Sequence, residues 1–258
     1  LENDRASNLL QLAYLDDSKE ILKKFQTIFR DVFNVSVYLD HTALSQIALR
    51  ISEEEITSLT GDTQKDRGLL KVLEKIDDQG EGYNSFAATI LGLVSAKNRL
   101  VLLDEPEVFL HNAQQKQLGR WVGDFVKDND TQLVIATHSS NFLEGLLASG
   151  VEVNIQRLNR IKNSTNFSSI DVDVVKKFTA DPILSSQRVL DALFQKAVVV
   201  CEADTDRMIY KMVADKIKPS HEILFIHSHN KQTTPMIVET LKKCAVPVYS
   251  ILDIDIFH

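Results

Sequence analysis

The chain has 258 residues, with 29 Lys and Arg against 36 Asp and Glu, which gives a formal net charge of −7 and a pI of about 5.5. Hydrophobic residues at 44% and charged residues at 25% are ordinary globular values and exclude a disordered or fibrous chain. The length suits one large or two modest domains, and the acidic balance argues against a polycation that coats nucleic acid.

We expect neither a membrane span nor a secretory signal. Apolar runs such as residues 100–103 are the size of strands, far below the ~20 residues of a membrane helix. No basic segment precedes an apolar one at the N-terminus. Cys201 and Cys244 are far apart and form no CxxC pattern, so a disulfide framework or a zinc site is not expected and a reducing cytosol is the simpler location.

The first third of the chain predicts one helix and two strands. Apolar residues recur at helical spacing over residues 18–33, which indicates an amphipathic helix. Alternating apolar and polar residues then predict half-buried strands near 35–39 and 47–51. The charged segment 53–79 is expected to be a surface connection with a short helix near its end.

From Gly80 onward strands and helices alternate, the pattern of a mostly parallel sheet covered by helices. Helices are predicted near 84–96, 113–127 and 141–147, and strands near 99–103, 132–136 and 151–158. The polar segment 159–169 is expected to be a loop. After a boundary near 186–196, a second alternating block is predicted with strands at 197–201, 223–227 and 246–252 and helices at 204–217 and 234–243.

Two adjacent carboxylates, Asp104 and Glu105, end the apolar strand near 99–103. Triphosphate hydrolysis needs one carboxylate to hold Mg²⁺ and a second group to orient or deprotonate the attacking water. A buried parallel strand would deliver both at its carboxyl end, where ligands of open α/β sheets bind. The next strand runs into Thr-His-Ser, so His138 can reach a γ-phosphate or the attacking water. The alternative is a strand that simply exits to solvent.

Gly80, Gly82 and Ser85 lie where the helix near 84–96 is predicted to begin. Free backbone N–H groups and the positive end of the helix dipole at such a position suit a phosphate. Alone, a glycine-rich helix start is more often just a turn. Its place before the Asp-Glu-Pro strand gives it weight.

In this order the motifs resemble those of the ABC-type ATPase head, in particular the branch shared by the overcoming-lysogenization-defect (OLD) nucleases and related phage-defence ATPases. The resemblance covers about residues 28–158. It implies ATP as the ligand, Asp104 as the Walker B carboxylate that holds Mg²⁺, Glu105 as the catalytic base and His138 as the switch histidine.

The same resemblance assigns Gly80, Gly82 and Ser85 to a divergent signature motif that caps the ATP of a partner subunit, and residues 108–112 to a dimer-facing loop. One motif of the family does not occur. The P-loop, Gly-x-x-x-x-Gly-Lys-Ser/Thr, is not in this sequence, which has no Gly-Lys pair. We therefore expect a head without its P-loop lobe in this chain, unable to hydrolyse ATP by itself; truncation, disorder or a separate polypeptide would each explain it.

A second set of carboxylates follows two later strands. Glu202 and Asp206 come after strand 197–201, and Asp253 and Asp255 end strand 246–252. Because a strand has period two, Asp253 and Asp255 point to the same side, and Glu202 can meet them from a neighbouring parallel strand. These acids would repel one another without a divalent cation, and oxygen ligands suit Mg²⁺ or Mn²⁺. Metal sites of this kind cleave phosphodiesters. The alternative is that the acids are separate strand ends that form no common site.

This pair of motifs in a βαβαβ setting resembles the Toprim domain of topoisomerases, primases and OLD-type nucleases. The acids that match the family's catalytic and metal-binding positions are Glu202, Asp206, Asp253 and Asp255. Ala203 stands where the family usually has glycine. Lys231, after the second strand, is a candidate contact to the scissile phosphate, with a solvated surface lysine as the alternative. Further acids and a lysine of the family's second metal site lie downstream of these motifs, so that site is incomplete here.

We therefore predict an α/β chain with an ABC-type P-loop ATPase head over residues 1–190, lacking its P-loop lobe, followed by a partial Toprim βαβαβ domain over 191–258. The resemblance implies an ATP-gated, Mg²⁺-dependent DNA endonuclease of OLD type, cytoplasmic, active in anti-phage defence, and self-associated as a head-to-head dimer or higher homo-oligomer.

Two other functions remain open. One is an ATP-switched scaffold or sensor with a non-cleaving Toprim domain, bound to a toxin, a nucleic acid or a reverse-transcriptase complex. The other is a DNA-repair ATPase of the kind whose head is separated by a coiled coil, against which the absence of long heptad arms argues.

Overall fold

The computed structural model describes residues 2–43, 46–60, 62–96, 99–129 and 131–253. The chain divides into two compact units between Thr137 and His138. Both units combine helices with parallel strand pairs, so the predicted α/β class is confirmed. The motif-based boundary between residues 190 and 191 stays a prediction.

The first unit contains five α-helices and five strands in its described residues. The helices are α1 (Glu2–Leu15), α2 (Glu20–Phe33), α3 (Thr63–Lys71), α4 (Glu81–Val94) and α5 (Asn112–Asp128). The strands are β1 (Ser36–Ala43), β2 (Gln46–Ser52), β3 (Glu74–Lys75), β4 (Leu100–Asp104) and β5 (Gln132–Ala136). β1, β2 and β3 form an antiparallel sheet, whereas β4 and β5 are parallel, with Asp104 opposite Ala136.

An aromatic cluster fixes the start of α4 against α2. Phe33 stacks on Tyr83 with ring centroids 4.4 Å apart, and Phe29 meets the edge of Phe86 at 5.5 Å. Phe29 and Phe86 are fully buried. Such ring pairs contribute about 0.5–1.5 kcal/mol each beyond their buried area, so this cluster holds the glycine-containing first turn of α4 in place.

One face of the β4–β5 pair is exposed, although the sequence predicts a buried strand before Asp104. Residues 100, 102 and 104 alternate with the half-buried 101 and 103, and Leu100 and Leu102 are 62% and 71% exposed. Period-two alternation places Asp104 on this exposed face. The carboxylate therefore stands open to solvent rather than in a closed sheet.

The second unit contains the strands and helices of the acidic motifs. Its helices are α6 (Ser140–Ala148), α7 (Val172–Ala180), α8 (Gln187–Ala192), α9 (Asp204–Ile217) and α10 (Thr234–Lys243). Its strands are β6 (Ile155–Ile161), β7 (Ser164–Ile170), β8 (Ala197–Cys201), β9 (Ile223–His227) and β10 (Val248–Ile251). The parallel sheet runs in the order β10-β8-β9.

A shared core joins the helices before this sheet to the sheet itself. Phe178 of α7 and Leu190 of α8 are fully buried in one cluster with Val198 and Val200 of β8 and Leu241 of α10. The side chain of Arg157 adds a polar tie, since its guanidinium donates to the carbonyl oxygens of residues 193, 195 and 245 at 2.8–2.9 Å. Arg157 thus has a structural role.

Two local predictions were wrong. The segment 159–169 is not a loop, because most of it belongs to the antiparallel β6–β7 hairpin, with Ile161 opposite Ser164. β7 is largely exposed, and the half-buried positions of β6 include the polar Arg157 and Asn159, so neither strand shows the apolar alternation that identifies a half-buried strand. The helix in 53–79 begins earlier than expected, at Thr63, where the Asp62 carboxylate accepts from the Gln64 N–H at 2.9 Å. Within the described residues, no helix has the length and apolar character that a membrane crossing requires.

Candidate functional site

Asp104 and Glu105 stand where β4 ends beside β5. The Glu105 N–H donates to the Ala136 carbonyl at 2.8 Å, which extends the pairing of the two strands by one residue. Glu105 has φ 45°, a left-handed conformation that costs a non-glycine residue about 1–3 kcal/mol. Strain of this kind persists where surrounding bonds impose it, and here it turns the chain abruptly at the second carboxylate.

The loop after Glu105 is tightly folded. The N–H of Val108 donates to the Glu105 carbonyl, and the N–H of Leu110 to the Glu107 carbonyl, both at 3.1 Å. Phe109 has φ 66° and a side chain that is 64% exposed. The segment 108–112, predicted to face a second subunit, thus presents a large apolar side chain to solvent.

Glu107 is a buried acid to which the sequence reasoning assigned no role. It is 1% exposed, and its Oε1 accepts a hydrogen bond from the Thr137 hydroxyl. Its Oε2 is buried and makes no hydrogen bond within the described part of the chain. The bond to Thr137 ties the loop after β4 to the end of β5, immediately before the exposed His138. The signal in the sequence was an acid two residues after Glu105, but nothing there showed that it is buried.

The predicted phosphate-facing helix begins earlier than expected. α4 starts at Glu81 with Gly80 as its N-cap residue, and the Tyr83 N–H already donates to the Gly80 carbonyl at 3.1 Å. Ser85 therefore lies in the second turn rather than at the helix start. The N–H groups without a partner inside the helix are those of Glu81 and Gly82. Gly80 and Gly82 thus lie at the helix start, and the roles of all three predicted residues stay predictions.

Gly82 lies directly against the loop after β4. A Cβ atom at this position would be 2.8 Å from the Phe109 carbonyl oxygen, a backbone atom that cannot rotate away. Only glycine therefore permits the contact between the first turn of α4 and the loop.

Gly82→Ala is expected to lower the free energy of unfolding by about 1–3 kcal/mol, because the added methyl group forces the loop and helix apart. Gly92→Ala is the matched control within α4, since nothing lies within 4 Å of its added Cβ. It should be neutral or stabilise the helix by up to about 1 kcal/mol. Urea denaturation of both variants compares them, and equal effects of the two substitutions would contradict the close contact.

Glu202 follows β8 at the carboxyl edge of the second sheet. It is half-buried, and its Oε2 is buried without a hydrogen bond in the described part of the chain. Asp206 lies in the first turn of α9, and its carboxylate accepts from the Ala203 N–H at 3.2 Å. Asp206 therefore caps α9 next to Glu202, so this predicted metal ligand also has a structural role.

Asp253 lies at the same edge on the neighbouring strand. The register places Ile251 of β10 beside Cys201 of β8, so Asp253 is two residues past β10 where Glu202 is one past β8. Asp255, the other acid of the motif, lies outside the described residues. Among those described, no group of three or more His, Cys, Asp or Glu side chains stands close enough to hold a metal ion.

The loop that carries Lys231 is held by hydrogen bonds. The buried Ser228 hydroxyl pairs with the Thr234 hydroxyl at 2.6 Å, and the Asn230 side-chain oxygen accepts from the Thr233 N–H at 2.9 Å. Lys231 is half-buried in this loop. Its predicted contact to phosphate stays a prediction.

An ionic cluster that sequence reasoning missed lies at the same edge. His227, the last residue of β9, has Nδ1 3.1 Å from an Asp204 oxygen and Nε2 2.7 Å from Arg188 Nη1. Arg207 Nε also donates to Asp204, at 2.7 Å. Burial lowers the pKa of His227, and the Arg188 charge lowers it further while Asp204 opposes them. The hydrogen bond from Arg207 lowers the pKa of Asp204, so Asp204 is the anion of the cluster.

The residues at this edge fit a hard divalent cation. A buried carboxylate oxygen without a donor is costly unless a cation or proton satisfies it, and the Glu202 Oε2 is such an atom. Carboxylate oxygens are the ligands that Mg²⁺ and Mn²⁺ take in proteins, and the carboxylates of Glu202 and Asp253 follow adjacent strands at this edge. In the first unit, the exposed Asp104 offers a similar oxygen ligand.

Two family models match the chain. The AAA ATPase domain matches residues 5–143, and the Toprim domain of overcoming-lysogenization-defect-like proteins matches residues 193–255. Among curated proteins, none matches the chain.

Solved structures with detectable similarity include heads of SMC proteins. One, from work on ATP-driven dimerization and DNA-stimulated activation of SMC ATPases, is 11% identical over 66% of this chain and 94% of its own, with TM-score 0.43. An Smc head bound to the C-winged helix domain of ScpA is 14% identical over 61% and 44%, with TM-score 0.43. A Pyrococcus furiosus Smc head with an extended coiled coil is 12% identical over 62% and 37%, with TM-score 0.45. This chain thus spans less than half of the latter two, and the similarities are distant.

Proposed function

This chain belongs to the AAA ATPase domain family and carries an OLD-like Toprim domain, and from this premise we propose that it acts in an ATP-gated, Mg²⁺-dependent DNA endonuclease of OLD type. The biological role we propose is defence against phage, in the cytoplasm. The expected assembly is a homo-oligomer in which two ATPase heads meet.

The observation that carries the proposal is the acidic edge of the β10-β8-β9 sheet. Glu202 and Asp253 follow adjacent parallel strands, and a buried oxygen of Glu202 has no donor among the residues that the structure describes. Burying such an oxygen without a partner costs free energy, which a cation or a proton would offset. A nuclease site explains why an acid occupies a half-buried strand end.

In the proposed nuclease, Glu202 and Asp253 would hold the Mg²⁺, with Asp206 and Asp255 as the further acids of the motif. When bound, Mg²⁺ would supply Lewis acidity toward the phosphodiester and neutralise charge on it. Lys231 would contact the scissile phosphate from the loop after β9. The protein's own contribution is to fix these side chains on rigid strand ends and hydrogen-bonded turns.

In the proposed ATPase, Asp104 would hold the Mg²⁺ of ATP and Glu105 would accept the proton of the attacking water. His138 would contact the γ-phosphate. The first turn of α4, with Gly80, Gly82 and Ser85 in the signature segment, would cap the ATP bound by a second subunit. The contact of Gly82 with the Phe109 carbonyl supports a coupling between that cap and the loop after Glu105.

The test is cleavage of supercoiled plasmid by the complete protein. Nicking is expected with MgCl₂ and ATP present, and it should fall to background when EDTA removes the metal. Omission of ATP should reduce nicking as well, because the head dimer gates the Toprim site. Gel electrophoresis of plasmid over time measures each condition.

Two results would contradict the proposal. Nicking that persists in EDTA would show that cleavage does not use a divalent cation. No nicking of plasmid, with ATP still hydrolysed, would favour the second function, an ATP-switched scaffold that binds a protein or nucleic-acid partner without cutting it.

A further inference from the structure

Three elements bring a guanidinium group to the edge where Glu202 lies. The register of β8 with β9 places His227 beside Cys201, so His227 stands one residue before the level of Glu202 on the adjacent strand. Asp204 begins α9 two residues after Glu202, and Arg188 reaches the same point from α8. The positive groups of this cluster thus adjoin an otherwise acidic edge.

Hydrogen-bond chemistry fixes how the three groups interact. Arginine can only donate, so His227 Nε2 is the acceptor of the 2.7 Å bond from Arg188. His227 Nδ1 lies 3.1 Å from an Asp204 carboxylate oxygen, within ion-pair distance. The imidazole is 9% exposed and lies between an anion and a cation. His227 and Asp204 therefore hold the Arg188 guanidinium in a defined place.

Arg188 retains unused donors. Its hydrogen bonds within the described part of the chain go through Nη1 alone, and its side chain is exposed. The remaining N–H groups of a guanidinium form a planar fork that matches two oxygens of a phosphate. Arg207, in contrast, already donates through Nε to Asp204. The exposed Arg188, held by the largely buried His227 side chain, therefore has free donors for an anion.

We propose that Arg188 is a phosphate-binding residue that grips the backbone of a nucleic-acid strand at the acidic edge of the β10-β8-β9 sheet, with His227 as its positioning residue. The inference deepens the proposed endonuclease function and rests on it. A carboxylate site repels a polyanion, so a cation fixed beside it brings the phosphodiester within reach of Glu202. The ligand class is a phosphodiester of DNA.

The experiment measures binding without metal, so that cleavage does not enter. A fluorescein-labelled 20-base-pair DNA duplex is titrated with the full chain in EDTA at several salt concentrations, and fluorescence anisotropy gives Kd. Arg188→Gln should weaken binding about 5–10-fold and lower the slope of log Kd against log salt by about 0.9, the loss of one phosphate contact. Circular dichroism checks that the variant is folded.

Lys211→Gln is the matched control. It removes the same charge from α9, where Lys211 pairs with Asp215 at the surface about 10 Å along the helix from Asp204. Kd should change less than twofold and the salt slope should stay as in the wild type. Equal Kd and slope for the Arg188 and Lys211 variants would overturn the proposal, as would a wild-type chain that does not bind the duplex at low salt.

His227 variants test the positioning role. His227→Leu should weaken binding at least threefold although Arg188 is intact, whereas His227→Gln should restore it, because an amide can accept from Arg188 and donate to Asp204. Leu and Gln variants with the same Kd would contradict this role.

Plasmid nicking distinguishes failure of the phosphate site from failure of the endonuclease proposal. If the Kd for DNA depends on Arg188 but no plasmid is nicked, the phosphate site stands and the endonuclease proposal is contradicted. If nicking depends on Glu202 but the Kd for DNA does not depend on Arg188, the endonuclease stands and the phosphate site at Arg188 is removed.

Discussion

Replacing Glu202 and Asp253 together with alanine is expected to reduce plasmid nicking by the complete protein at least about 100-fold, to background. The two acids follow adjacent parallel strands, and the Glu202 oxygen that lacks a donor has no other partner among the described residues. In the proposed site, their removal takes away two oxygen ligands. Nicking is followed by gel electrophoresis at saturating MgCl₂.

The control removes two acids from the same unit but from a different place. Glu222 precedes β9, at the opposite end of the sheet, and pairs with Lys196 at the surface, while Glu239 is exposed on α10. The double variant Glu222→Ala and Glu239→Ala changes the net charge equally and should leave nicking within about twofold, as expected of surface positions away from a site. If the Glu202 and Asp253 variant cuts as fast as this control, the cleavage site is not the Toprim edge.

Binding of DNA in EDTA gives the prediction a second readout. The double alanine variant should bind duplex as tightly as the wild type or more tightly, because two negative charges leave an edge that faces a polyanion. A variant that neither binds nor cuts would indicate a folding defect, which circular dichroism detects. Tight binding with lost cutting is the pattern that assigns the acids to the chemical step.

Short, strongly patterned elements were predictable because their signals are local. β5, β8, β9 and the helices α9 and α10 occupy the residues that apolar runs and helical spacing predict, since acids, Thr-His or Pro interrupt the pattern at their ends. The β6–β7 hairpin was not predictable in the same way. The half-buried positions of β6 include the polar Arg157 and Asn159, and β7 is largely exposed, so neither strand carries an apolar alternation.

In the candidate site, too, the features that follow from local pattern were predictable and those that depend on tertiary packing were not. Strand topology brings Glu202 and Asp253 to one edge, and that follows from period and from the rule that ligands bind at the carboxyl ends of parallel strands. The pairing of Arg188 with His227 joins residues 39 positions apart and depends on how α8 packs. The burial of Glu107 and its bond to Thr137 likewise arise from tertiary contact. The spacing of apolar and polar residues along the sequence does not predict contacts of this kind.

Helix start signals explain the displacement at Ser85. Gly82 and Tyr83 are weak helix formers, so propensity places the start of α4 after them, at Asn84. Burial of Phe86 against Phe29 and the stacking of Tyr83 on Phe33 outweigh that preference and extend the helix back to Glu81. Tertiary packing therefore decides which backbone N–H groups lack a partner inside the helix.

Glu105→Gln is expected to reduce ATP hydrolysis by the complete protein at least about 100-fold, while leaving ATP binding nearly unchanged. The amide keeps the size of the carboxylate and the left-handed turn at φ 45°, but it cannot take the proton of the attacking water. Phosphate release measures hydrolysis, and retention of labelled ATP on a filter measures binding.

The control is Asp128→Asn, an acid-to-amide change at the exposed end of α5, which should leave hydrolysis within about twofold. In the proposed mechanism, a trapped ATP state keeps the heads together, so Glu105→Gln should also shift the protein toward its dimer in size-exclusion chromatography with ATP. Hydrolysis that survives the Glu105 substitution would transfer the role of base to another group. Glu107 is the other acid of this loop, and its Oε2 makes no hydrogen bond to any residue that the structure describes, so Glu107→Gln then identifies whether that buried carboxyl is the base.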